Sequence, residues 1–240
     1  MRAIPIVRYE QHSSECAVAA SSSIANYYNK NINYESVRKF AACADDGMDS
    51  GQIGCLLNNL GFKSVLIITA DNDIVDWTWR KYSRKRLAEE LDKAIPKVES
   101  EQKSANKWLS AFLRKKGCRN RVIVDYRFSK YIRKYLDQKI PLILSFSWTL
   151  FFQQPKYDNN YKPNPVIGSS EYHAVVARGY NKQGVSVVDS HGGSYKYTLK
   201  SYSSGKYRMA WEELLPVIQC GDTVIPFNYD PSRVHKDILK

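Results

Sequence analysis

What the sequence has little of narrows its chemistry first. Its 240 residues include only four histidines and five cysteines. The cysteines, Cys16, Cys43, Cys55, Cys118 and Cys220, are odd in number and scattered, with no Cys-x-x-Cys pair and no Cys/His cluster at metal-ligand spacing. That argues against a zinc site or a disulfide framework, and leaves buried thiols, one of them free to be reactive, in a reducing compartment. No metal or organic cofactor is expected. No window approaches eighteen uninterrupted apolar residues, and the opening "MRAIPIVRYEQHSSEC" lacks the apolar run of a secretory signal. Neither a membrane span nor an exported precursor is therefore expected, and the chain reads as cytoplasmic.

What is present is a folding composition, 43% hydrophobic and 12% aromatic, in a chain long enough to bury a core. The net charge of +12 is unevenly placed. Residues 80–121 hold 14 Lys/Arg against 5 Asp/Glu, so most of the excess belongs to one segment. Such density suggests an acidic partner, either an acidic protein or nucleic acid, although no nucleic-acid-reading module accompanies it.

Apolar spacing predicts helices first. Ala17, Ala20, Ile24 and Tyr27 with Tyr28 share a face, with Ser13 or Ser14 able to cap the start, so Cys16 falls in a first turn. "NYESVRKFAAC" and "DSGQIGCLLNNLGF" suggest two more helices, the latter stopped by Gly61. "KSVLIIT" reads as a buried strand. Two amphipathic helices follow, marked by Leu87, Leu91 and Ile95, then by Trp108, Leu109, Phe112 and Leu113. From residue 122 the texture becomes that of strands: "RVIVDY", "PLILSFSW", a hairpin within residues 171–193, "KYTLKSY" and "DTVIPF", with helices around Ile132 and within "KYRMAWEELLPVI". The expectation is one α+β domain: a helical lobe (1–70), a basic helical insertion (71–121), an antiparallel β-rich lobe (122–227) and a loose tail (228–240), with a groove between the lobes.

The hairpin "EYHAVVARGYNKQGVSVVDSHGG" carries the chemistry. His173 and Asp189 are equidistant from position 181, which makes them cross-strand neighbours if register and face agree. A carboxylate beside an imidazole fixes its tautomer and favours its charged form. A base so oriented needs a group to activate. Cys16 is the one cysteine at a helix start, where unsatisfied N–H groups and the macrodipole favour thiolate. His191 is a second candidate base. His12 and His235 read as surface residues, Cys43, Cys55, Cys118 and Cys220 as structural, and Trp148 and Trp211 as core or groove-lining.

"QHSSECAVAASSSIANYY" followed far downstream by "HAVVARGYNKQGVSVVDSHGG" resembles the papain-like (clan CA) cysteine peptidases, closest to the C39-like peptidases. The resemblance implies a papain-like two-lobed fold and a thiol protease. It assigns the catalytic cysteine to Cys16, the base to His173, its orienting partner to Asp189 and an oxyanion donor to Gln11, which stands five residues before Cys16 where six is usual. "DSHGG" is similar to the Asn-Ser-Trp-Gly element of papain enzymes, with His191 in place of tryptophan. The resemblance also implies a peptide substrate with small residues such as paired glycines before the cut. With neither membrane spans nor a Gly-x-x-x-x-Gly-Lys-Ser/Thr loop, the chain is not expected to be a whole peptidase-transporter.

Two functions follow from these residues. One is hydrolysis of peptide bonds through a Cys-His-Asp triad and a covalent acyl-enzyme. The other is a non-catalytic basic binding protein on the same fold, holding an acidic protein or nucleic acid through residues 80–121.

Overall fold

The computed structural model describes residues 3–41, 47–158, 160, 162–191, 205–218 and 221–239. Three helices lead, α1 (Cys16–Tyr28), α2 (Tyr34–Ala41) and α3 (Ser50–Asn59), followed by β1 (Leu60–Thr69). Helices α4 (Arg84–Ala94) and α5 (Ser100–Arg114) precede β2 (Arg121–Val124), α6 (Phe128–Asp137), β3 (Leu142–Ser147) and the single turn α7 (Trp148–Phe151). The chain continues through β4 (Tyr172–Tyr180), β5 (Gly184–Val188), β6 (Lys206–Ala210), α8 (Trp211–Ile218) and β7 (Asp222–Val234). Among the described residues no helix is long and apolar enough to cross a membrane. The strand expected in "KYTLKSY", the glycines of "DSHGG", Cys43 and Cys220 lie outside the described residues.

Helix α1 is buried on nearly every side, Ser21, Ser22 and Ser23 included. A helix buried all round belongs in the core. Ser22 meets the polar demand there by donating its hydroxyl to the Val18 carbonyl at 2.8 Å. Helix α3 starts from a capping box, in which Gln52 accepts from the Asp49 N–H at 2.7 Å.

All seven strands form one sheet in the order β2-β1-β7-β3-β4-β5-β6. Consecutive residues of β1 and β3 are buried, so both faces of the sheet are covered. Helix α1 packs on β4 and β3, and α3 on β1 and β7. The mixed α+β class holds, with one difference from the antiparallel expectation: β1 and β2 are parallel, from Leu66↔Arg121 to Thr69↔Val124. Parallel neighbours require a crossover connection, and α4 with α5 supply it.

The crossover is seated on α3 by two glycines. A Cβ on Gly51 would stand 2.4 Å from the Trp108 carbonyl carbon, and one on Gly54 2.5 Å from the Phe112 ring. Beside them the buried Asn58 and Asn120 exchange amide hydrogen bonds at 3.1 and 2.8 Å. Asn120 also donates to the Phe112 carbonyl. Every strong polar group of that pair has a partner, as burial demands.

Two further differences have plain causes. "KYRMA" is strand β6, because Val185 and Ser186 of β5 pair with Met209 and Arg208. The segment after Tyr229, expected to hang loose, continues β7 to Val234, and Ile238 is fully buried beyond it. The His235 N–H donates to the Asn59 carbonyl, which ties this end to α3.

Candidate active site

The position of Cys16 is set by the first dozen residues. The Ile4 N–H donates to the Arg178 carbonyl of β4, and the Gln11 N–H to the Ser190 carbonyl, so the N-terminal segment runs beside the hairpin. Ser13 then takes a left-handed φ of 45°, unusual for a residue with a side chain, and turns the chain into α1. Cys16 is the first residue of α1 and is half-buried.

Neither Ser13 nor Ser14 caps this helix. The N-cap is Glu15, and its carboxylate makes no capping bond. It is drawn sideways to α2, where it accepts from the Tyr34 hydroxyl at 2.5 Å and from Arg38 Nε at 2.8 Å. Tyr34 in turn accepts from the His12 N–H at 3.0 Å and stacks on the His12 ring. Helix α2 thus holds both ends of the loop before Cys16. The Glu15 carboxylate, which left free would oppose a neighbouring thiolate, is spent on Arg38 and Tyr34.

The hairpin register is shifted from the symmetric expectation. Val176 pairs with Val188 and Ala177 with Val187, and a bulge follows before Gly179↔Ser186. Continued to the strand end, this pairing sets His173 opposite position 191 and Asp189 on the diagonal, still on the same face. The contact forms nonetheless: His173 Nε2 lies 2.7 Å from Asp189 Oδ1, with both side chains buried. The His191 N–H donates to Asp189 Oδ1 at 2.8 Å and the Tyr207 hydroxyl to Oδ2 at 2.9 Å. Arg8 reaches across to the carbonyls of Asp189 and His191 at 2.8 and 3.1 Å.

Cys16 hydrogen-bonds the other side of the imidazole, which leaves Nδ1 as the nitrogen facing sulfur. Burial pushes the Cys16 thiol up, but the His173 hydrogen bond and charge, helped by the Ala174 N–H, outweigh it and hold the thiol below its ordinary value. Burial likewise pushes His173 down. The Asp189 charge and hydrogen bond, with the Cys16 sulfur, reverse this and raise the imidazole to about 10. A lowered thiol beside a raised imidazole favours the thiolate-imidazolium form over the neutral pair. Among the described residues no group of three or more His, Cys, Asp or Glu side chains could hold a metal ion.

Gln11 is close to this pair in the chain but committed elsewhere. Its amide nitrogen donates to the Ser13 carbonyl at 2.7 Å, and its oxygen accepts from the Ser190 hydroxyl at 2.7 Å. Those two bonds fix the amide orientation and leave its second N–H for a ligand. The His191 ring is edge-on to Trp148 at 5.0 Å and 6.4 Å from the His173 ring. His12 pairs with Glu35 at 3.6 Å and His235 with Asp237 at 3.5 Å. Cys55 and Cys118 belong to the α3 and crossover region, and burial pushes the Cys55 thiol up.

The sequence understated Trp148. Its ring lies against His173 at 4.3 Å between centroids, inclined by 68°. Trp148 thus packs edge-to-face against the imidazole. The signal was the β3–β4 register: Ser147 pairs with Tyr172, which puts residue 148 beside the strand end that carries His173. Trp211, by contrast, stacks with Arg133 at 4.7 Å beside Tyr180, at the other end of the hairpin.

The model of the Peptidase_C39 like family matches residues 3–216. Among solved structures, the chain is similar to a provisionally assigned C39-like peptidase from Bacillus anthracis, at 11% identity and a TM-score of 0.44, over 95% of this chain and 96% of that one. No curated protein matches the sequence significantly.

Proposed function

Because the chain belongs to the Peptidase_C39 like family, whose match spans residues 3–216, we propose that it is a cysteine peptidase acting through Cys16, His173 and Asp189. The observation that carries this reading is the continuous chain of contacts from Asp189 through His173 to a cysteine at a helix start.

The Cys16 thiolate attacks the carbonyl carbon of the scissile peptide. Negative charge then develops on the carbonyl oxygen, where the Cys16 N–H and the remaining Gln11 amide proton receive it. The protonated His173 Nδ1 gives its proton to the departing amine, the C–N bond breaks and a thioester remains on Cys16. Water enters, His173, now neutral, takes one of its protons, the hydroxide adds to the thioester carbonyl, the C–S bond breaks to return the thiolate, and the acid product ionises to water. Asp189 stays ionised throughout and holds the Nε2 proton, so the ring cannot turn away from sulfur. The left-handed turn at Ser13 and the bonds of Gln11 to Ser13 and Ser190 preset the oxyanion side before substrate arrives. The small residues implied for the substrate suit a nucleophile roofed by Trp148.

The test is the alkylation rate of each cysteine by iodoacetamide between about pH 4 and 9, read by mass spectrometry on wild type and His173→Ala. Cys16 alone is expected to react fast well below its unperturbed value of about 8.5, and to lose that advantage without His173. Cys16 reacting no faster than Cys55 or Cys118 would sink the proposal.

A further inference from the structure

The far end of α1 carries a second feature that the peptidase reading does not use. Two neighbouring cavities of about 650 and 580 Å³ share Asn228 as a common wall. Asn228 itself is exposed and held at a left-handed φ of 57°. Tyr27 and Tyr28 close one side of the larger cavity, twelve residues along the helix from Cys16, so the groove and the thiol are about 18 Å apart.

The lining combines two chemistries. The larger cavity is aromatic: Tyr135 and Phe227, with ring centroids 6.1 Å apart, face Tyr27 and Tyr28, and all four are half-buried. Its rim is cationic, through Lys134 and Lys139, and Lys134 Nζ lies 5.4 Å from the Tyr135 ring centroid. The smaller cavity is lined by Lys63, Arg119 and Arg233, with the Asn228 amide donating to Ser64 Oγ at 3.1 Å. Asp230 balances Lys63 at 2.8 Å. Arg119, Lys134 and Lys139 are exposed and form no ion pair among the described residues.

The crossover helices contrast with this. On α4 and α5, Arg86 and Lys93 meet Glu90, Arg114 meets Asp92, and Arg84 donates to the carbonyls of Leu113, Lys115 and Cys118. Arg86, Lys93 and Arg114 are thus paired with carboxylates, whereas Arg84, like Arg233 at the Gly117 carbonyl, is held by carbonyls that leave its charge uncancelled. The cations of the basic segment that stay open toward a cavity stand after α5, where Arg119 begins the approach to β2.

We propose that this groove binds single-stranded nucleic acid, with bases stacking on the tyrosine and phenylalanine faces and phosphates passing along Lys134, Lys139, Arg119 and Arg233. An acidic peptide would use the cations but has no side chains that need the rings. Half-buried rings interleaved with cations fit a sequence-tolerant strand. The site does not depend on Cys16 and stands or falls apart from the peptidase reading.

The experiment is fluorescence anisotropy with a fluorescein-labelled oligothymidylate of about twelve nucleotides, matching the usual reach of such grooves. Four phosphate contacts predict a log-log salt slope near −3, or an affinity loss of about 50-fold between roughly 50 and 200 mM salt. Lys139→Glu, on the exposed rim, should weaken binding and flatten that slope. Tyr135→Leu keeps apolar bulk while removing a stacking face, and should cost about tenfold in affinity with little change in slope. Cys16→Ala should leave binding unchanged. Absence of binding at low salt would overturn the proposal, and so would displacement by poly-glutamate as effective as by unlabelled oligonucleotide, or a Tyr135→Leu protein of wild-type affinity. The last two outcomes would instead mark a surface for acidic polypeptides.

Discussion

Replacing Asp189 by asparagine removes one charge from the site and little else. An amide oxygen in the Oδ1 position still accepts from His173 Nε2 and the His191 N–H, now at 2.7 and 2.8 Å. The amide nitrogen faces the Tyr207 hydroxyl, now 2.9 Å from Oδ2, which can turn to accept. What is lost is the attraction between two unit charges about 4 Å apart, worth about 4 kcal/mol at an effective dielectric of about 20, or roughly three pH units on the imidazole. The His173 midpoint, raised to about 10 in the native site, should therefore fall to about 7. The sign follows from the charge alone: a carboxylate stabilises the protonated ring, so the ring gives up its proton earlier once the carboxylate is gone. The assay is a pH titration of carbon-13 labelled histidine by NMR, feasible because only four imidazoles compete for assignment. Peptidase activity of the variant should be confined to the acid side of its new midpoint. A midpoint that stays near the native value in a protein of unchanged Tm would refute the claim that Asp189 acts on His173 through its charge.

Three further outcomes are expected. Trp148→Ala should open a cavity over His173 and cost about 3–5 kcal/mol in urea denaturation, while Trp148→Phe, which keeps a ring over the imidazole, should lose far less; equal losses would mean the ring is not packed as described. Tyr34→Phe removes the hydroxyl joining Glu15 to the His12 N–H, and should lower kcat by about tenfold or more with KM nearly unchanged, because misplacement of the loop acts on the transition state. An unchanged kcat would dissociate α2 from the site. Gly51→Ala should destabilise by about 1–3 kcal/mol despite the better helix propensity of alanine, since the obstacle is the Trp108 backbone and not a flexible side chain; a urea midpoint equal to wild type would show that α5 yields freely.

The local parts of the site could be read from sequence because they rest on short-range rules. The start of α1 at Cys16 follows from apolar spacing, and the meeting of His173 with Asp189 from a hairpin whose turn, Asn181 to Gln183, is only three residues long. Even there the register shifted, because the bulge before Gly179 adds a residue that no pattern announces. Capping by serine was the cheap local solution, and Glu15 holds the position because its partners, Tyr34 and Arg38, lie on another helix. The sheet order was invisible for the same reason. Nothing in "DTVIPF" says that it pairs with β1 on one side and β3 on the other, since both faces of such a strand are buried and its apolar run carries no neighbour information. The count of 14 Lys/Arg against 5 Asp/Glu in residues 80–121 gave the net charge but not its placement, which pairs Glu90 with Arg86 and Lys93, and Asp92 with Arg114.

The placement of β7 has a bearing on when the protein comes alive. It is the last strand in the chain yet it stands between β1 and β3, so until it arrives the sheet is two separate pieces. The contacts that arrange the site are of the same kind: Arg8 reaches Asp189 and His191, and Gln11 reaches Ser190, across separations of 181, 183 and 179 residues. Loops of that length close slowly, and a topology dominated by them folds late. A ribosome would therefore release Cys16 early, as an ordinary thiol on an unfinished chain. On the proposed mechanism, the thiol would gain its reactivity only once these distant segments have met and the final strand has threaded into the middle of the sheet.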